Sequence, residues 1–374
     1  MTLNTRELLA LAGPVSYFAL VIFLFALIIT SLDLKKINSS AFSVIYALLA
    51  LVSFLHTFTY ILLDLKWSYH NYFDTLPYTV VGTPIERMSV WLMNTSIFKE
   101  IWVYGSDGIF NWWWLENLCI MTAGTWTVFL VSEGKVKNVP YLWAYMIIAQ
   151  VVAVSTASSL FFLALSQRPT PTKVMPSKKD DDDINSVLPA FEPEPEVTAQ
   201  TIVPVLLGLF TISTCPAPKS PDFLSNILIL HALLFIPVLP TPFQTDYPRW
   251  LKMPTVNVYF AATALSLALR IQSTLFAASS LPEIGILEFA KAAFACLQSH
   301  PGMATFGWDT IYTTVLFLIW ATFGDGTSKP KTKALIPVVT ATAALGISFS
   351  GPMALGNVID ELFVQTEVTD APVV

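Results

Sequence analysis

An all-α, polytopic membrane helix bundle is the fold class this sequence predicts. Only 12% of its 374 residues are charged, 54% are hydrophobic and the mean hydropathy is +0.62; a soluble domain carries about 25% charged residues. Apolar stretches also recur at the roughly 20-residue length with which a helix crosses a bilayer. A third observation points beyond fold to function. Two carboxylic acids, Glu116 and Asp309, stand inside such stretches, where ionisable groups are costly and mark functional sites by default.

The apolar stretches, in order, are 14–32, 41–65, 112–132, 140–166, 201–216, 223–240, 256–278, 304–323 and 334–350, giving eight or nine spans. The first is too long for a signal-peptide core and has no small-x-small cleavage site before Asp33, so it reads as a retained helix. The fourth carries STASS at 155–159, a small-residue packing face. The fifth is short and contains Pro204 and Gly208, so it is tilted, broken or re-entrant. Two connections read as interfacial segments. One is 66–111, with apolar residues at helical spacing in MSVWLMNTSIFKEIW; the other is 281–299, with Glu283, Glu288 and Lys291 on its polar side. Either lies over a lipid-accessible cavity or simply tethers the bundle to the interface.

Residues 167–200 differ sharply, with seven acids and six prolines. They read as a disordered connector between an N-terminal half, 1–166, and a C-terminal half, 201–374. The run Asp180–Asp183 evokes an aspartate-rich metal site, but such a site needs carboxylates fixed on a helix wall. Here Pro-flanking and the adjacent Lys178 and Lys179 make a solvated charge run the simpler reading. Basic residues in the connecting loops favour a cytosolic N-terminus and an odd span count, which puts the sequon at Asn38 on the lumenal side, close to the membrane.

Several function classes are excluded. The 20 basic residues form no patch, so nucleic acid is not a partner. Cys119, Cys215 and Cys296 lack metal or redox spacing and read as packing residues. No Gly-rich phosphate loop, GxSxG elbow or helical DxxxD pair is present, which disfavours diphosphate ionisation by magnesium. Neither metal, nucleotide nor flavin is implied, and proton-initiated chemistry remains.

On a helix Glu116 shares a face with Trp112, Trp113, Cys119 and Ala123, and Asp309 with Tyr312, Thr313, Leu316 and Trp320, one residue from Trp308. An acid kept neutral by low dielectric is a proton donor at neutral pH, and aromatic faces stabilise a developing cation. The alternative for each acid is an interhelical hydrogen bond that locks the bundle. Arg270 is the only basic residue deep within a span and pairs with Glu116 or Asp309. A carboxyl so paired is ionised and orients, leaving the other as the acid. His56 and His231 are structural histidines or hold a substrate hydroxyl.

The stretches ERMSVWLMNTSIFKEIW, NWWWLENLCIMTAGTWTVFLVSEGK, STASSLFFLAL and FGWDTIYTTVLFLIWA resemble the longer fungal integral-membrane terpene cyclases of meroterpenoid biosynthesis, of the ascofuranone/ascochlorin and macrophorin types. The resemblance implies cyclisation of a farnesyl chain on an aromatic or quinone-like polyketide, often through a terminal epoxide. It assigns acid roles to Glu116 and Asp309. The chain departs from the shorter seven-helix cyclases by its extra helices and acidic loop.

The expectation is therefore a metal-independent enzyme of the endoplasmic reticulum membrane that protonates an epoxide or alkene of a prenylated, lipid-like substrate. Glu116 and Asp309 would be catalytic, with Trp112, Trp113, Tyr312, Trp308, His56, Arg270 and Trp320 around the substrate. Both acids are expected on one shared cavity. Its surroundings would be membrane lipids and pathway enzymes such as a prenyltransferase and an epoxidase. The rival from another class is a proton-coupled transporter or lipid-binding receptor, with Glu116, Arg270 and Asp309 as its relay; a structural membrane protein with buried ion pairs is the third reading.

Overall fold

A computed structural model describes residues 4–78, 81–168, 196–240, 248–283 and 285–323. The expected span at 334–350 and the run Asp180–Asp183 lie outside these residues. What is described is mostly helical, and its longest helix turns leucines outward and a largely polar stripe inward. Leu48, Leu51, Leu55, Leu62 and Leu63 are exposed on one helix while Ser43, Ser53, Thr57, Asp64 and Ser68 of the same helix are buried. That is the pattern of a helix facing lipid outward and polar partners inward.

The chain opens with α1 (Thr5–Thr30), started by a capping box in which Asn4 and Glu7 satisfy each other's backbone N–H groups. A short 3₁₀ turn leads to α2 (Ala41–Asp74), whose 34 residues outrun the predicted 41–65 by more than two turns. The interfacial segment 66–111 resolves into the end of α2, then α3 (Pro84–Asn94) and α4 (Ile97–Ser106). Trp91 and Trp102 on these two helices point inward and are buried. Next come α5 (Ile109–Ile120), a π-helical stretch (Met121–Trp126) and α6 (Thr127–Val136). Together these make one 28-residue helix whose span-length core is wholly buried.

The predicted span 140–166 is two helices, α7 (Leu142–Val151) and α8 (Val154–Ser166), because the backbone turns extended at Ala153. α8 packs on α2 through small polar contacts, Ser53 Oγ to Thr156 Oγ1 at 3.3 Å and Ser43 Oγ to Ser166 Oγ at 2.9 Å. The all-α expectation meets one exception. β1 (Glu196–Thr198) pairs antiparallel with β2 (Lys252–Pro254), Val197 opposite Met253. This two-stranded ladder ties the start of α9 (Ala199–Ser213) to the start of α11 (Thr255–Ser279), with α10 (Phe223–Phe235) between them. α12 (Ile286–Ala295) is the second amphipathic segment, with Ile286 and Leu287 exposed. Last described is α13 (Pro301–Phe323), which packs against α2, α4, α5 and α8.

Among the described residues four helices are long and apolar enough to cross a membrane: Thr5–Thr30, Ala41–Asp74, Ile109–Val136 and Thr255–Ser279. The count of eight or nine is not reproduced, for physical reasons that differ by segment. The break at Ala153 halves one expected span. The helices at Ala199–Ser213 and Phe223–Val238 are too short to cross unaided, as Pro204 and Gly208 hinted for the former.

Candidate functional site around Glu116 and Arg270

The turn from α4 into α5 passes through Gly108 at φ 137°, a conformation that favours glycine. That turn sets the start of α5, and two helical turns on Glu116 faces α11. Arg270 of α11 meets it: Nη1 donates to Glu116 Oε2 at 3.1 Å and to the Trp113 carbonyl at 2.7 Å. The Trp113 ring lies against the guanidinium, 4.4 Å from its carbon to the ring centroid, and its Nε1 donates to Thr274 Oγ1 at 3.0 Å. Both charges are buried, the side chains 1% and 7% exposed. Breaking such a pair leaves an uncompensated charge, so the two residues stand or fall together. Of the two partners expected for Arg270, the structure gives Glu116.

Beside this pair lies a cavity of about 400 Å³. Ser106, Gly108 and Trp112 wall one side, Cys215 to Pro218 the loop after α9, and Ser273 and Phe276 the face of α11. Glu116 is the one carboxyl in its lining. An exposed ion pair, Lys219 Nζ to Asp107 Oδ2 at 2.7 Å, joins the loop after α9 to the α4–α5 turn at its rim.

Asp309 is placed elsewhere. Its Oδ2 accepts from the Val154 N–H at 2.9 Å and its Oδ1 from the Ser155 N–H at 2.7 Å, with the Thr313 hydroxyl at 3.4 Å. These are the first N–H groups of α8, which a helix leaves without partners, and the carboxylate meets the positive end of the helix dipole. Asp309 is not in the cavity lining, and neither is Tyr312, so the expected shared cavity is not formed. The reason is the break at Ala153: an exposed helix start inside the bundle needs an anion, and Asp309 supplies it.

The aromatic and basic candidates divide between four places. Trp112 lines the cavity and Trp113 stacks on Arg270. His56 Nδ1 and the Tyr312 hydroxyl share a hydrogen bond of 3.0 Å, with Trp308 4.9 Å from the imidazole, centre to centre. Trp320 is core, stacked on Phe162 at 4.6 Å and edge-on to Phe129. His231 bonds the Ile227 carbonyl through Nδ1 and packs on Trp102. Among the described residues no three His, Cys, Asp or Glu side chains converge as a metal site.

Sequence reasoning missed Asp64 and His300, which lie 3.5 Å apart under α4. A signal was present. Ser43, Tyr46, Ala50, Ser53, Thr57, Asp64 and Ser68 recur at three-, four- and seven-residue intervals, a buried stripe that runs past the apolar stretch and carries Asp64 inward. No known protein family, curated protein or solved structure matches the chain.

Proposed function

We propose that this chain is a membrane-bound terpene cyclase that protonates an epoxide or alkene of a prenylated aromatic or polyketide substrate and directs its ring closure. The carrying observation is Glu116, the one carboxyl in the lining of a mainly apolar cavity of a size that suits a small ligand. At rest Arg270 holds Oε2 of the carboxylate, and against the expectation that the paired acid only orients, Oε1 takes up a proton when an apolar substrate fills the cavity and carries it to the reaction. That proton passes to the epoxide oxygen as its C–O bond breaks, and the alkenes close on the resulting cation. The carboxylate left behind is stabilised by Arg270 and takes back the proton released at the last carbon. One proton is given and one returned, so the product is an isomer of the substrate.

Trp112 supports the reading as an aromatic face for the cation. Arg270 supports it by holding Glu116 at the cavity wall from behind, since it is itself buried and outside the lining. Asp309 enters as a positioning residue that fixes the start of α8. An endoplasmic reticulum location belongs to the same proposal and is checked by membrane fractionation.

The test is conversion of a farnesylated aromatic epoxide by membranes from cells expressing the protein. Glu116→Gln keeps the side-chain shape but cannot donate, and because it leaves Arg270 unpaired its turnover is measured per folded protein, where it should fall about 10²–10⁴-fold. Full activity in that variant would overturn the assignment. The α7–α8 interruption favours a second reading, proton-coupled transport of a lipid-like solute. Recovery of the epoxide unchanged, but moved across sealed vesicles, would select it.

A further inference from the structure

We propose that Asp64 and His300 form a proton-holding pair at one end of the bundle, in which Asp64 is the protonated partner. It is a second polar site, separate from the Glu116 cavity, and it binds one exchangeable proton. It does not depend on what that cavity binds.

The argument is one of donors and acceptors. The Gly302 N–H donates to His300 Nδ1 at 3.1 Å, so Nδ1 presents its lone pair and the imidazole carries its proton on Nε2. Asp64 Oδ1 lies 3.5 Å from that same Nδ1, buried and with no hydrogen-bond partner. A bare carboxylate there would set two acceptors against each other in a dry site. A proton on Oδ1 turns the contact into O–H···N, closed by a shift of about half an ångström. Gly302 is what allows the approach, because a Cβ there would stand 3.0 Å from Oδ1 and 3.2 Å from Nδ1.

The surroundings agree. On α4, Glu100 accepts from the hydroxyl of Ser68, one turn along α2 from Asp64, and the Trp91 indole of α3 donates to the same hydroxyl. A negative charge therefore already stands on this side. The imidazole sits edge-on to Trp67 at 4.3 Å and stacked on Tyr104 of α4 at 5.2 Å. Burial pushes His300 below the usual imidazole range, which keeps it neutral. Other charged groups lie further off. Arg87 of α3 covers Phe73 and Tyr69 beyond Ser68, Lys66 is exposed, Asp309 and Tyr312 are two turns or more along α13, and α8 brings none. Asp64 thus lacks a guanidinium like the one that holds Glu116, and at the start of α13 it finds the single Gly302 N–H, shared with His300 Nδ1, where Asp309 has two N–H groups to itself. Loss of its proton would set a carboxylate against the Nδ1 lone pair and the charge of Glu100, more than the one shared N–H offsets.

The test is the pH dependence of melting of the full chain in detergent, wild type against Asp64→Asn. The Asn amide donates to Nδ1 as the neutral acid does, but never ionises. An acid that keeps its proton in the fold where the unfolded chain has lost it makes stability fall as pH rises from about 4, the unfolded carboxyl value, through its folded value. The wild type should therefore lose a few degrees of melting temperature between about pH 5 and about pH 8 that the variant keeps. The variant should then melt higher than wild type at about pH 8. A variant that melts lower there, or parallel curves for the two proteins, would overturn the proposal. If the variant does not accumulate, infrared spectra of the wild type decide. A protonated-carboxyl band near neutral pH that shifts in His300→Gln supports the pair; no band, or one unmoved by that change, refutes it.

Discussion

Glu116 and Asp309 look alike along the sequence, each a lone acid among tryptophans in an apolar stretch, yet the fold neutralises them by opposite means. Glu116 takes a side-chain cation, Arg270, and keeps a face on a cavity. Asp309 takes two backbone N–H groups and lies outside the cavity wall. A guanidinium is one mobile partner that leaves the second carboxyl oxygen available. A helix start is a fixed pair of donors that engages both. The first arrangement suits chemistry on a ligand, and the second suits holding a broken helix in place.

The sharpest way to break the comparison is to remove each partner. Arg270→Met leaves Glu116 buried and unpaired and should cost about 3–5 kcal/mol, read as lost folded yield and a lowered melting temperature in detergent. Adding Glu116→Gln to it should restore much of that loss, since a neutral pair replaces a bare charge. At the other site, Asp309→Ala strands the N–H groups of Val154 and Ser155 at about 1–3 kcal/mol each, whereas Asp309→Asn strands one and should cost about half as much. If Asp309→Asn were as stable as wild type but inactive, the capping role would be the wrong one. Smaller still is Tyr312→Phe, which removes one half-buried hydrogen bond to His56 and should cost about 0.5 kcal/mol. Last comes Lys219→Ala at the exposed rim pair, where no change in melting temperature is expected at physiological salt.

The parts of this picture legible in the sequence are those carried by local pattern. The apolar stretches gave the long helices, and helical spacing in MSVWLMNTSIFKEIW gave the amphipathic pair α3 and α4. Arg270 demanded an acid, and one was found. What stayed hidden depended on distant partners. Nothing in LWAYMIIAQVVAVSTASS marks Ala153 as a break, with neither Gly nor Pro there, because its cap arrives from Asp309 some 155 positions away. The β1–β2 ladder joins the end of the acidic connector to a segment two helices later, and three-residue strands carry too little periodicity to read. Asp64 was passed over because the span seemed to end beside it, while the helix runs on to Asp74.

The π-helical stretch Met121–Trp126 begins one turn after Glu116, and Thr127 closes it with a side-chain bond to the carbonyl of Thr122, five residues back. A π turn is in effect a single-residue insertion into a helix, and one residue is about 100° of rotation. The inserted residue therefore decouples the two ends of a buried rod. α5 can aim Glu116 at Arg270 while α6 aims Phe129 at Phe162 and Trp320, without either pattern dictating the other. Removing one residue there would keep every side chain that faces the cavity and still turn one set of contacts away from its partner. In this molecule chain length, counted to a single residue, is itself a determinant of the site.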